Sequence, residues 1–455
     1  MDAQPPARYT PRVNFAESVN YLLGLGHETL TMKLGLGNVR RLLARLGDPQ
    51  LAFPAVQIAG TNGKGSTAAM LEAICRAAGL RAGLYTSPHL VRITERVRVC
   101  GHEVSPEAFA RAATEVREAA DSVRGESGAL PTFFEQVTAL ALCAFRDAGV
   151  GLAILETGLG GRLDATTVAG AGVVVITPVG LDHQEHLGDS LASIAAEKAA
   201  VVRPGVAAVV SAQPPEAEAV ILARCRECGV EPRRTGPPPQ VEGTTADGRL
   251  RVRMRTARAD YGSVTLALRG RHQLENAAAA VAAAEVLAER GLVELTRESA
   301  VAGLERAEHP GRLEWIDATR PPVLLDGAHN PSGAAALRAY LDEFVRAPVT
   351  LVFGAMRDKP LAELGSILFP AAAHLILTEP RNPRAATAAE LVRAVPSPPA
   401  SSTITLAPSA RDALALAGLH TPPGGVVCVS GSLYLVGEVR ALLEAEGAHA
   451  RQKDE

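Results

Sequence analysis

Short apolar runs alternate with helix-period segments through the first half of the chain. Ala55–Ala59 and residues 84–86, 151–156 and 173–177 are mainly apolar without strict alternation. Such runs mark strands buried on both faces, and they predict a parallel sheet. The pattern changes between residues 204 and 270. Proline gathers at Pro214 and again at 236–239, and residues 250–254 then alternate apolar and polar, which predicts a β-rich excursion within the first domain. An alanine-rich helix follows Asn276 and runs towards Glu289. After Gly303 a connecting stretch ends in His309-Pro310-Gly311-Arg312. A second series of apolar runs follows at 323–326, 350–354, 374–378 and 426–430. This predicts two domains, 1–303 and 304–455, with no fixed-period repeat.

Composition sharpens the fold class more than the function. In 455 residues, 47% are hydrophobic, aromatics are few and 42 are glycine, as expected of β/α units joined by tight turns. A formal charge of -3 from 46 basic and 49 acidic residues supplies no net field to gather nucleic acid. The amino-terminal MDAQPPARYT has no apolar core, and no uninterrupted apolar stretch is long enough to cross a bilayer. The expectation is a cytoplasmic protein without nucleic-acid or membrane partners. Of the six cysteines only Cys225 and Cys228 form a C-x-x-C pair; with no second pair to complete a zinc site, they read as reduced thiols.

The run Ala55–Ala59 passes directly into Gly60-Thr61-Asn62-Gly63-Lys64-Gly65-Ser66-Thr67, after which residues 68–78 read as a helix ending at Gly79. Strand, glycine loop and helix are in the order a phosphate site needs. Glycines let backbone N–H groups turn towards a phosphate, a helix amino terminus adds partial positive charge, and Lys64 reaches the terminal phosphates. The spacing departs from the strict P-loop: two residues separate Gly60 from Gly63, and Gly65 stands between Lys64 and Ser66.

Other residues are ambiguous when read alone. Glu156 ends an apolar run, where a carboxylate projects into the crevice at the strands' carboxyl ends and offers Mg²⁺ a hard oxygen ligand. Ser87 precedes Pro88 and reads equally as a turn initiator. His183 reads as a structural histidine and Lys198 as a solvated helix lysine. Thr132 and Glu135 form a capping box for the helix towards Phe145, while Phe133 and Phe134 are either core or a stacking face for a flat ring. Arg312 fits a plain linker turn. His329 suits a loop residue ordering a helix near Ser332, or a group guiding a proton near neutrality.

The variant GTNGKGST is the phosphate loop of the Mur ligase superfamily, and the rest of the chain resembles its folate branch, the folylpolyglutamate and dihydrofolate synthases. The resemblance covers most of the chain. It is carried by Thr86-Ser87-Pro88-His89-Leu90, by Glu156-Thr157-Gly158-Leu159-Gly160-Gly161-Arg162-Leu163-Asp164-Ala165-Thr166, and by Gly180-Leu181-Asp182-His183. It continues through Glu197-Lys198-Ala199, Gly270-Arg271-His272-Gln273 with Asn276, Pro310-Gly311-Arg312, Asp326-Gly327-Ala328-His329-Asn330-Pro331, and Ser430-Gly431-Ser432-Leu433-Tyr434.

The resemblance implies an α/β fold: a P-loop-containing Mur-ligase-like central domain with a mainly parallel sheet, plus a smaller Rossmann-like C-terminal domain. It implies a monomeric, ATP-dependent ligase acting on L-glutamate and a folate or dihydropteroate, with two Mg²⁺ ions. By resemblance Gly60, Thr61, Asn62, Gly63, Lys64, Gly65 and Ser66 hold ATP together with Asn276, Arg312 and Asp326. Ser87, Glu156, His183 and a carbamylated Lys198 hold metal, and Lys33, Leu34, Gly35, Leu36, Thr132, Phe133, Phe134, Glu135 and Arg162 lie on the substrate side. Some dihydropteroate-using relatives carry an acidic residue where this chain has Lys33, which leaves open whether dihydropteroate is a substrate. The expected reaction passes the γ-phosphoryl of ATP to a carboxylate, and the glutamate amine then attacks the acyl phosphate, with Lys64, Lys198 and His329 as the catalytic candidates. Two rivals use the same loop: a ligase of nucleotide-linked cell-wall precursors, and a P-loop switch or motor.

Overall fold

The computed structural model describes residues 14–26, 35–394 and 403–453, so the predicted substrate-side residues Lys33 and Leu34 lie outside the described residues. Its strands in chain order are β1 (Ala55–Ala59), β2 (Ala82–Tyr85), β3 (Val97–Val99), β4 (His102–Glu103), β5 (Leu152–Glu156), β6 (Val173–Ile176), β7 (Ala207–Val210), β8 (Arg233–Arg234), β9 (Gln240–Thr244), β10 (Leu250–Arg255), β11 (Asp260–Thr265), β12 (Glu314–Ile316), β13 (Val323–Leu325), β14 (Val349–Phe353), β15 (His374–Thr378), β16 (Thr403–Ala407) and β17 (Val426–Ser430). The first eight form one sheet in the order β4-β3-β2-β5-β1-β6-β7-β8. It is parallel from β2 to β8 and antiparallel at the β3 and β4 edge. Every residue of β1, β5 and β6 is buried, which is why their sequences are apolar apart from Gln57 and Glu156.

The excursion after residue 204 serves two sheets. β7 and β8 extend the first sheet, with the helix Pro215–Glu227 between them. β9, β10 and β11 form a separate antiparallel sheet, and β10 is alternately buried and exposed. Its inward Leu250, Val252 and Met254 pack in the same core as the alanines of the helix Gln273–Glu289. That helix is buried on nearly all sides and lies against the helix Lys64–Ala77. Alanine suits such a position, because a helix enclosed on every face needs small apolar side chains to let its neighbours approach. The helix Arg297–Arg306 also packs on Lys64–Ala77, with Gly303 so close to the Ile74 backbone that no side chain fits.

The remaining strands form a six-stranded sheet ordered β12-β13-β17-β14-β15-β16, parallel except for β12. Separate apolar cores cover its two faces. Two α/β layers thus meet along one cleft, with the linker from Ala307 to Leu313 beside it.

Candidate active site

The order of strands explains the site. β2, β5, β1 and β6 are parallel neighbours, so whatever follows their carboxyl ends collects in one crevice. β1 delivers the phosphate loop, β5 delivers Glu156, β2 delivers Ser87, and β6 leads to Thr177, Pro178 and the turn ending in His183. The crevice continues between the two domains as a cleft of about 480 Å³.

Gly60 and Gly63 are glycine for stated reasons. Gly60 has φ 153° and a Cβ there would lie 2.9 Å from the Thr177 carbonyl oxygen; Gly63 has φ 83° and abuts the Asn276 amide. The Thr61 and Asn62 N–H groups both donate to the Pro178 carbonyl, at 3.0 and 3.3 Å. Thr61 is further tied to Gly180, whose carbonyl accepts its hydroxyl and whose N–H donates to it, each at 3.0 Å. These groups brace the loop. The anion site is therefore left to the first-turn N–H groups of the helix Lys64–Ala77, which have no acceptor inside the helix. Lys64 Nζ donates to the Thr61 carbonyl at 3.1 Å, beside that helix end. Gly65 admits the linker: a Cβ there would stand 2.5 Å from His309 Nε2 and 3.2 Å from Glu156 Oε2.

Glu156 is buried and accepts the Ser87 N–H at 3.2 Å. Lys198 on the helix Leu191–Ala199 is 5% exposed, so it is no solvated lysine. Its ammonium donates to the Gly60 carbonyl at 2.7 Å. Burial first, and then the charge of Lys64, pull the Lys198 pKa down to about 7. His183 takes a left-handed φ of 51°. Burial drives its pKa down to about 3 against the opposing pull of Asp182, leaving a neutral imidazole that can serve as a ligand. The Asp182 carboxylate is also buried, but the hydrogen bond and charge of His329, then His183 and Lys359, hold it well below the usual carboxylate range.

From the second domain, Asp326 follows β13 and accepts the N–H groups of Leu313 at 2.9 Å and Ala328 at 3.0 Å. It braces the turn that carries Arg312 into the cleft. His329 Nδ1 donates to the Gly327 carbonyl at 2.8 Å, which turns Nε2 towards Asp182, 3.6 Å from Oδ2. Gly35, Leu36, Thr132, Phe134, Glu135 and the exposed Arg162 also line the cleft. The capping box and the cleft wall coexist here: Glu135 Oε2 accepts the Thr132 N–H at 2.8 Å, starting the helix Phe133–Asp147. Phe134 lies against Gly158 and faces the cleft, whereas Phe133 turns into the core with the Arg96 guanidinium 5.3 Å from its ring centroid. Every described candidate except Phe133 thus lines one cleft. Asp182 and Asn330, which the sequence motifs contain without an assigned role, also line it, as do Lys359 and Arg384, which sequence reading missed; a charged residue a few positions past an apolar run was the available signal for Lys359.

The segment after Glu156 sets the position of Lys198. Asp164 accepts the N–H groups of Gly158 and Leu159, each at 2.9 Å, which folds that segment back on the Lys198 helix. A Cβ on Gly161 would stand 3.0 Å from the carbonyl oxygens of both Glu197 and Lys198 and 2.7 Å from Val201 Cγ1. Gly161→Ala should therefore displace the helix and move Lys198 from Gly60, lowering kcat by about 100-fold, the usual cost of a shift near 1 Å. Steady-state kinetics with circular dichroism as the folding control checks this, and parental kcat would refute it.

Residues 58–284 match the Mur ligase middle domain and residues 311–433 the Mur ligase glutamate ligase domain; the two-layer cleft with its phosphate loop is that of a Mur-type ligase. The chain is 36% identical to a probable bifunctional folylpolyglutamate synthase/dihydropteroate synthase of Haloferax volcanii, over 94% of this chain but only 50% of that protein. It is 32% identical to the dihydrofolate synthase/folylpolyglutamate synthase of Bacillus subtilis, over 91% of this chain and 96% of the relative. Its fold superposes on the Mycobacterium tuberculosis folylpolyglutamate synthase complexed with ADP and AMPPCP with a TM-score of 0.84, at 32% identity, covering 93% of this chain and 98% of that one. The chain belongs to the folylpolyglutamate and dihydrofolate synthase family of Mur ligases.

Proposed function

We propose that the chain uses ATP to join L-glutamate to the carboxylate of a folate-type substrate. The observation that carries this reading is one cleft lined by a phosphate loop, the buried Glu156 and Lys198, Phe134, and Arg312, Asp326 and His329 of the second domain. The names of the relatives support both folylpolyglutamate and dihydrofolate synthesis, so folate and dihydropteroate are both candidate substrates.

A carboxylate is a poor acyl donor at neutral pH, and transfer of the γ-phosphoryl of ATP to it creates a leaving group. Phosphoryl transfer depends on positioning and on charge stabilisation. The first-turn N–H groups and Lys64 hold the phosphoryl oxygens, while Asn276, Arg312 and Asp326 hold the nucleotide. The glutamate amine then attacks the acyl phosphate, and the tetrahedral intermediate collapses to amide and phosphate, leaving ADP. His329 guides the amine or its proton.

The residues fit magnesium. Among the described residues no three His, Cys, Asp or Glu side chains converge to cage an ion. The fit rests on the donors present: the buried Glu156 supplies the carboxylate that Mg²⁺ needs, its remaining positions being completed by water and phosphate oxygens. Ser87, Glu156 and His183 would hold one ion, and Lys198, as a carbamate, would help hold a second. Bound there, magnesium offsets charge on the phosphate oxygens. The lowered pKa of Lys198 supports the modification, since only the neutral amine adds to carbon dioxide.

Among the described residues no helix is long and apolar enough to cross a membrane, and all six cysteines are free; we assign the enzyme to the cytoplasm. Phosphate release with Mg·ATP should require both L-glutamate and a pteroate or folate. Equal turnover without either, or turnover only with a nucleotide-linked cell-wall precursor, would sink the folate assignment.

A further inference from the structure

Ser66, His272 and Asn276 line the cleft, and all three touch one residue behind it. That residue is Gln273, which opens the helix Gln273–Glu289 and is 0% exposed. Its carboxamide oxygen accepts Asn276 Nδ2 at 2.9 Å, while its nitrogen lies 3.3 Å from Ser66 Oγ and 3.1 Å from His272 Nε2. Burial, and then the charge of Arg312, pull the His272 pKa down to about 4, so the ring is neutral and one of its nitrogens accepts. An amide nitrogen only donates and an amide oxygen only accepts. Two acceptors on the nitrogen side and a donor on the oxygen side therefore fix which way the Gln273 amide faces.

What Gln273 fixes in turn is Asn276. With Nδ2 held from behind, the other end of the Asn276 amide presses on the phosphate loop, its Oδ1 standing 2.2 Å from where a Cβ on residue 63 would lie. The two ends of an asparagine amide have nearly the same shape and opposite hydrogen-bonding character. Turned over, Asn276 would offer a nucleotide a donor where it now offers an acceptor. Ser66 is set by the same glutamine. Its oxygen accepts from Gln273, which leaves the hydroxyl proton to donate to a phosphate oxygen in the first turn of the helix Lys64–Ala77.

We propose that Gln273 is a positioning residue for the nucleotide, holding from behind the cleft the amide orientation in which Asn276 meets ATP. This role rests on ATP lying along the phosphate loop and Asn276, and Gln273 itself never touches the ligand. Removing its carboxamide costs the alignment of one hydrogen-bonding group, worth about 10-fold in affinity. Asn276 holds the nucleotide before and during phosphoryl transfer alike, so the loss falls on KM for ATP rather than on kcat.

Calorimetric binding of Mg·AMPPCP to the full-length protein, without folate or glutamate, tests it. Gln273→Met, unbranched and a good helix former, should keep the parent's circular dichroism spectrum and raise Kd about 10-fold. In steady-state turnover KM for ATP should rise by the same factor, with kcat within about twofold of the parent. Gln273→Asn, which keeps the amide but draws it back by one methylene, is the milder variant and should show the same pattern at smaller size. The deciding measurement is made on Asn276→Ala, where no amide is left to orient: adding Gln273→Met there should weaken binding by less than about twofold. Equal losses with and without Asn276 overturn the proposal, because Gln273 would then serve the start of its helix or Ser66 alone. An unchanged Kd in Gln273→Met overturns it as well. Parental affinity in Asn276→Ala would instead take Asn276 out of the nucleotide site, and Gln273 with it.

Discussion

Lys64→Ala should fold normally and lose ligation, with kcat down by on the order of 10³, the scale seen when a preorganised charge-stabilising group is removed from a reacting centre. The fold is expected to survive because alanine is the best helix former and Lys64 is the first residue of its helix, with a single hydrogen bond to the Thr61 carbonyl. Thr61 and Asn62 remain braced on Pro178 and Gly180 without it. What disappears is a point charge at the end of the loop where the first-turn N–H groups of the helix are available to a phosphate. Because charge on the transferring oxygens must be offset most in the transition state, kcat and kcat/KM for ATP should fall together rather than KM alone rising. Lys64→Arg should recover little, since a planar fork does not reproduce a compact ammonium. Near-normal turnover in a correctly folded Lys64→Ala protein would show that this loop is not the nucleotide site.

The central strands could be read from sequence because burial on both faces left them no freedom of composition. β1, β15 and β17 coincide with apolar runs at 55–59, 374–378 and 426–430. The strands β3, β4, β8 and β12, at or next to a sheet edge, are two or three residues long and carry Arg98, His102, Arg233 or Glu314; half-exposed strands that short leave no periodic signal. The phosphate loop was legible as strand, glycines and helix, and the structure adds that Thr61 and Asn62 are committed to bracing. Lys198 was not legible from its own neighbourhood. Its helix lies against the segment after Glu156 through Gly161, and its ammonium reaches the Gly60 carbonyl of a loop 138 residues away in sequence. Phe133 and Phe134 could not be separated in sequence, yet successive helix residues point about 100° apart, so one fills the core and the other faces the cleft. The pair Asp182 and Lys359 is 177 residues apart and on different domains, a separation at which no local pattern operates.

Lys198→Ala separates the carbamate from a plain buried lysine. A free ammonium at this position sits beside Lys64 and near the metal candidates Glu156 and His183, where it would repel Mg²⁺. Burial favours the neutral amine, and addition of that amine to carbon dioxide forms an N–C bond, releases one proton and leaves an anionic carboxylate. The product has the hard oxygen ligands that Mg²⁺ prefers. Truncation to alanine removes them while leaving a good helix former in the helix Leu191–Ala199, so the fold should persist and kcat should drop by at least about 100-fold, the upper range for losing support to a metal site. Formate or acetate, diffusing into the vacated volume, should restore part of that activity, because each returns an anionic oxygen pair without a tether. Lys198→Arg should be inactive and unrescued, since arginine keeps the positive charge and fills the space. Activity in Lys198→Ala equal to the parent would remove the lysine from the mechanism. Inactivity without rescue would leave Lys198 necessary through its hydrogen bond to Gly60 rather than through carbamate oxygens.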